Sequence, residues 1–215
     1  MLSKRLIGFF MLLGPILAIV MIILEESFMS GSTFAEKLKV MSDNYTFASI
    51  TTVGSAIAIL AIFIGFHGLA RSMQGENKPG SDLAGLSAIF SLLITSIVMV
   101  SLGLQFIATE QMGEWVEEGG NPINAYALSE AISRSIFVFN GLVTLFLGLA
   151  ILKQKNMSQI IAGIFTFSGA CILFGGIFSV GDNWAGMLWF VGFLIFPIIT
   201  AVTGFITLKQ ARSNK

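Results

Sequence analysis

The chain is poor in charge. Only 11% of its 215 residues are Asp, Glu, Lys or Arg, against roughly 25% in an average soluble domain. That excludes an ordinary water-exposed domain and a disordered tail. Basic and acidic residues balance to a net charge of zero, so there is no cationic field for a phosphate backbone and no case for nucleic-acid binding. The one cysteine, Cys171, excludes a disulfide framework and a thiolate metal cluster. The one histidine, His67, excludes a paired-histidine metalloprotease motif, and no phosphate-binding loop of the nucleotide-hydrolase type is present. These absences predict neither metal nor cofactor.

What fills the chain is apolar. Hydrophobic residues make up 55% and mean hydropathy is +0.87. Long apolar runs cover residues 6–24, 48–70, 83–108, 135–152, 160–180 and 185–208. Each reaches or approaches the roughly 20 residues that cross a bilayer as a helix. Transmembrane strands would alternate in polarity instead. The predicted fold is all-α: a polytopic integral membrane protein, one domain over residues 1–215, built as a compact bundle of six transmembrane helices. The first run follows Lys4 and Arg5 and precedes Ser30-Gly31-Ser32, but it is longer than a signal-peptide core and reads as a retained first helix.

Alternating the loops sorts the charges. One side gathers Lys4, Arg5, Arg71, Lys78, Lys153, Lys155, Lys209, Arg212 and Lys215, and the other holds only Lys37, Lys39 and Arg134. The positive-inside rule then places both termini in the cytoplasm. Most acidic residues, with Tyr45, Trp115, Tyr126, Trp184 and Trp189, fall on the outer side, where aromatic rings anchor at headgroup level. In the long outer loop 25–47, Thr33 and Glu36 form a capping-box pattern. Phe34, Leu38 and Met41 follow at helical spacing, which predicts a short amphipathic helix on the membrane surface, with a lid over a cavity as the alternative.

Polar residues inside the spans face protein, because lipid offers them no partner. In the third span Ser87, Ser91, Ser101 and Gln105 share one face, suited to close helix packing or to a polar path. In the fourth, Glu130 and Arg134 stand one turn apart at ion-pair spacing, and Asn140, Gly141, Thr144 and Gly148 continue beside them. Arg134 reads either as a structural ion-pair partner or as an anionic headgroup site. Pro197 in the sixth span predicts a kink. The outer run Glu110, Glu114, Glu117 and Glu118, interleaved with Met112, Trp115 and Val116, reads as solvated acidic surface. No acid or lysine stands at a helix centre, which disfavours a proton-coupled pump.

The even spans end alike, in Gly65-Phe66-His67-Gly68-Leu69, Gly148-Leu149-Ala150-Ile151-Leu152 and Gly204-Phe205-Ile206-Thr207-Leu208, each followed by Arg or Lys. The pattern raises a threefold hairpin repeat. The junction from Gly148-Leu149-Ala150-Ile151-Leu152-Lys153 through a short basic turn to Ile160-Ile161-Ala162-Gly163 resembles that of small prokaryotic membrane-protein families with six helices. The resemblance implies a membrane location and carries over no activity or site residue. The residues themselves point to a non-enzymatic membrane protein that binds a lipid or small apolar ligand, or that serves as a subunit of a membrane assembly or homo-oligomer. The candidate ligand residues are Arg134, Glu130, Gln105, Asn140 and Ser101. A small permease or channel along the third span is the alternative; for an intramembrane enzyme no nucleophile–base pair is visible.

Overall fold

Local chemistry sets where each helix begins. The Ser3 side chain accepts a hydrogen bond from the Leu6 amide and opens α1 (Lys4–Phe28). Thr33 and Glu36 form the predicted capping box at the start of α2 (Phe34–Asp43). α3 (Tyr45–Ser72) follows after Asn44, and α4 (Ser81–Glu110) follows a loop in which Asn77 and Gly80 take positive φ. The Asn121 side chain accepts from the Ile123 and Asn124 amides, and Pro122 occupies the first turn of α5 (Pro122–Gln154), where its missing N–H costs nothing. α6 (Gln159–Phe178) and α7 (Asn183–Ser213) complete the chain. This computed structural model describes residues 2–110, 116–178 and 183–213, the side chains of 110, 183 and 213 excepted, and contains no strand among them. The acidic run's Met112, Glu114 and Trp115, and residues 181 and 182 of the 181–184 turn, lie outside the described residues.

α1, α3, α4, α5, α6 and α7 are each long and apolar enough to cross a membrane. The chain is thus an all-helical, multi-pass membrane protein with six spans. Each span packs on its neighbours in sequence, and α7 closes on α1, so the spans form a ring. The termini lie at one end and α2 at the other. Apart from α6, the helices outrun the predicted apolar runs. The largest difference is at α5, which begins at Pro122 rather than at residue 135, because the Asn121 cap and Pro122 start a helix well before the hydrophobic stretch does.

Small residues let the ring close. A Cβ on Gly8 of α1 would stand 2.8 Å from the Gly204 carbonyl of α7, and one on Gly192 of α7 would stand 2.9 Å from the Ile172 amide of α6. Two glycines of the repeated terminal pattern meet the neighbouring hairpin: Gly148 meets Thr166 of α6, and Gly204 meets α1. Gly65 instead meets Met11 within its own hairpin, so the three are not equivalent in packing. The ring centre on the termini side is filled by Phe66, which is fully buried. Its ring lies 6.1, 5.7 and 5.9 Å from those of Phe63, Phe165 and Phe196.

α2 departs from the expectation of a helix resting on lipid. Its apolar residues Leu38 and Met41 are buried with Ala48 of α3, Ala108 of α4, and Ala125 and Tyr126 of α5. The amphipathic stripe finds a protein partner because α4 and α5 extend far enough to meet it. Its cap also titrates. The Glu36 carboxylate accepts from the Ser32 and Thr33 amides and the Ser32 hydroxyl, and these bonds hold its carboxyl below the ordinary carboxylate range. With the folded value below the unfolded one, the cap is at full strength above the unfolded value and is lost as pH falls through the folded one. Amide exchange in the first turn of α2, corrected for intrinsic rates, is therefore expected to quicken on acidification to about pH 3. Glu36→Gln should remove that dependence, and an unchanged acid response in the variant would assign it elsewhere.

Candidate functional site

The polar face of α4 divides into two parts. Ser87 and Ser91 are fully buried; Ser87 Oγ donates to the Val143 carbonyl of α5 at 3.1 Å, and Ser91 Oγ donates back to the Ser87 carbonyl at 2.7 Å. This half is a packing seam. Further toward the α2 end, Ser101 Oγ lies 3.0 Å from Ser129 Oγ and 3.1 Å from Ser133 Oγ, and Ser129 Oγ donates to the Ser101 carbonyl. Beyond this cluster the helices part around a chamber of about 160 Å³, polar only by comparison with its neighbour and walled in part by Ala56, Ile59, Val98, Leu102 and Ile136. Glu25 of α1, Thr52 and Ser55 of α3, Ser101 and Gln105 of α4, and Glu130 and Ser133 of α5 line it.

A second chamber of about 250 Å³ adjoins it inside the ring and is almost wholly apolar. Pro15, Ala18, Ile19 and Ile22 of α1, Ile62 and Phe63 of α3, Phe137 and Asn140 of α5, and Phe193, Phe196 and Pro197 of α7 form its walls. Glu25, Ser55, Ile59 and Ile136 border both chambers. Phe63 and Phe196 reach the wall from the aromatic cluster around Phe66, which seals the side toward the termini. Asn140 is 5% exposed, and its side-chain oxygen accepts from Thr144 Oγ1 at 3.2 Å.

The five candidate residues therefore fall into three places. Ser101, Gln105 and Glu130 meet in the polar chamber, and Asn140 lines the apolar one. Arg134 does not join them. It is exposed in a separate groove of about 380 Å³ with Ser135, Val138, Gly176, Gly186 and Trp189. The ion pair that the spacing of Glu130 and Arg134 allows is thus replaced by two residues facing different cavities. Phe137, its ring 5.8 Å from that of Trp189 and 5.9 Å from that of Phe193, borders both the Arg134 groove and the apolar chamber. Glu25 is the residue that sequence reasoning missed. The apolar run stops at Leu24, but α1 continues to Phe28 and carries Glu25 on the stripe of Pro15, Ala18 and Ile22, at helical i+3 and i+4 steps. His67 Nδ1 is 3.0 Å from the Ala88 carbonyl, a link between α3 and α4 remote from both chambers.

A further large hollow is a groove between α6 and α7. It is apolar throughout, with Ile160, Ile164, Phe167, Ile198 and Val202 in its walls, and has no group to orient a ligand. Fold and cavity together define a multi-pass helical membrane protein with a two-part chamber inside its ring. Compared with protein-family models, with curated proteins and with solved structures, the chain matches none.

Proposed function

We propose that the protein binds an amphiphilic small molecule or lipid inside its helix ring, without catalysing its conversion. The observation that carries this reading is the junction of the two chambers. An apolar space suited to hydrocarbon adjoins a more polar one, and Glu25, Ser55, Ile59 and Ile136 border both. Binding sites commonly pair apolar walls with a few oriented polar groups. The buried, hydrogen-bonded Ser87 and Ser91 favour binding over passage along α4. The ligand enters from the lipid between α1 and α7. After Pro15, α1 has no buried residue, and Pro15 and Pro197, the prolines within these two helices, both line the apolar chamber, where each removes a backbone donor and bends its helix.

The setting is the cell membrane with both termini cytoplasmic. Arg5, Arg71, Lys78, Lys153, Lys155, Lys209 and Arg212 all belong to the end that carries the termini, and short basic loops stay inside. On the opposite half Arg134 beside Trp189 suits an interfacial lipid phosphate. Photolabelling in nanodiscs with an alkyl diazirine, mapped by peptide, tests the cavity reading. Label is expected on the chamber faces of α1 and α7. Ala18→Phe or Ile59→Phe, each filling the chamber, should remove it while the melting temperature is retained.

A further inference from the structure

Building on that reading of the cavity, we propose that its ligand is cationic, an apolar amine whose ammonium head is held between Glu25 and Glu130. The two carboxylates come from α1 and α5, helices on opposite sides of the ring. Lys, Arg and His are missing from the walls of both chambers among the described residues. The other polar groups of the small chamber, Thr52, Ser55, Ser101, Gln105 and Ser133, are neutral. Two carboxylates facing one partly dehydrated space repel each other. A cation between them relieves the repulsion and forms charge-assisted hydrogen bonds.

A second observation points the same way. The Ser55 hydroxyl oxygen is buried and has no hydrogen-bond partner, although its residue borders both chambers. Buried hydroxyls are normally satisfied, so this oxygen keeps unused acceptor capacity beside both chambers. An ammonium, which only donates, is complementary to it and to both carboxylates. The ionisable groups facing Glu25 are Glu26 on α1, Lys37 on α2, and Glu130 and Tyr126 on α5. α3, α4 and α7 bring none to either chamber.

Titration calorimetry in phosphatidylcholine nanodiscs, with empty discs subtracted, compares octylamine, octanol and octanoate. These carry the same chain with a positive, neutral or negative head. Octylamine is expected to bind about tenfold or more tightly than octanol, with octanoate the weakest. The Glu25→Gln/Glu130→Gln protein should lose that advantage and keep its octanol affinity. If the double variant fails to fold, each single substitution reads the same ratio. Equal binding of octylamine and octanol to the unaltered protein overturns the cation assignment but leaves the amphiphile site standing, as does a preference that survives the substitutions. Binding of none of the three, or octanol binding unaffected by Ala18→Phe, overturns the cavity reading itself.

Discussion

Gly169→Val is expected to leave little folded protein after detergent extraction, whereas Gly163→Ala on the same helix is expected to be harmless. A Cβ on Gly169 would stand within the backbone of Leu145 and 2.9 Å from the Gly141 carbonyl, while one on Gly163 would meet nothing within 4 Å. The contact is reciprocal, because a Cβ on Gly141 would run into the backbone of Leu173 and approach the Gly169 carbonyl. Neither helix has a flexible side chain at this point that could yield. α5 and α6 would have to separate, and with them the close packing that drives helix association where lipid removes the hydrophobic force. Overpacking alone costs about 1–3 kcal/mol, and a backbone-to-backbone clash belongs at or above the top of that range. Gly163→Ala, by contrast, gains up to about 1 kcal/mol of helix propensity. Thermal unfolding of the purified variants, read by tryptophan fluorescence or circular dichroism, separates them. Similar melting temperatures for Gly169→Val and the unaltered protein would contradict the packing.

The second large effect belongs to Phe66. Its side chain is completely buried and makes edge-on contacts with Phe63, Phe165 and Phe196, which joins α3, α6 and α7 across the ring. Phe66→Ala removes the hub of these contacts, and burying a phenylalanine-sized void costs about 3–5 kcal/mol. The floor of the apolar chamber would be lost as well, since Phe63 and Phe196 line that chamber and lean on Phe66. The variant is expected to unfold well below the unaltered protein, and a hydrophobic probe bound in the chamber should restore part of the difference by mass action. Phe66→Leu, which keeps most of the volume, should lose much less. Comparable losses for alanine and leucine would mean that the aromatic contacts, and not the filled volume, hold the ring centre.

Much of the fold was legible in the sequence because the bilayer imposes a length on apolar runs. Six such runs became six spans, and the Thr33–Glu36 pattern became a capped helix. Hydropathy was silent wherever polar residues continue a helix. The start of α5 was hidden because the apolar run begins only at residue 135, while Asn121 and Pro122 carried the real signal. The end of α1 was hidden for the same reason, and with it Glu25. Of the candidate site, Ser101, Gln105 and Glu130 were identifiable as polar residues in or next to a span, and the fold gathers them. Spacing within one helix could not reveal that Glu130 and Arg134 face different cavities, since that depends on where α4, α6 and α7 pack around α5. Nor could it show that α1 lies across the ring from α5, because ring closure joins residues from the two ends of the chain.

The central claim is that a ligand sits inside the ring and not on its lipid-facing surface. Peptide mapping of an alkyl diazirine photolabel in nanodiscs addresses it most directly. Label concentrated on Ala18, Ile22, Phe193 and Phe196, displaced by excess unlabelled amphiphile and lost in Ala18→Phe, is the predicted result. Label spread over lipid-facing residues such as Ile23, Phe190 and Phe205, which are 63%, 53% and 59% exposed, with no displacement and no response to Ala18→Phe, would contradict it.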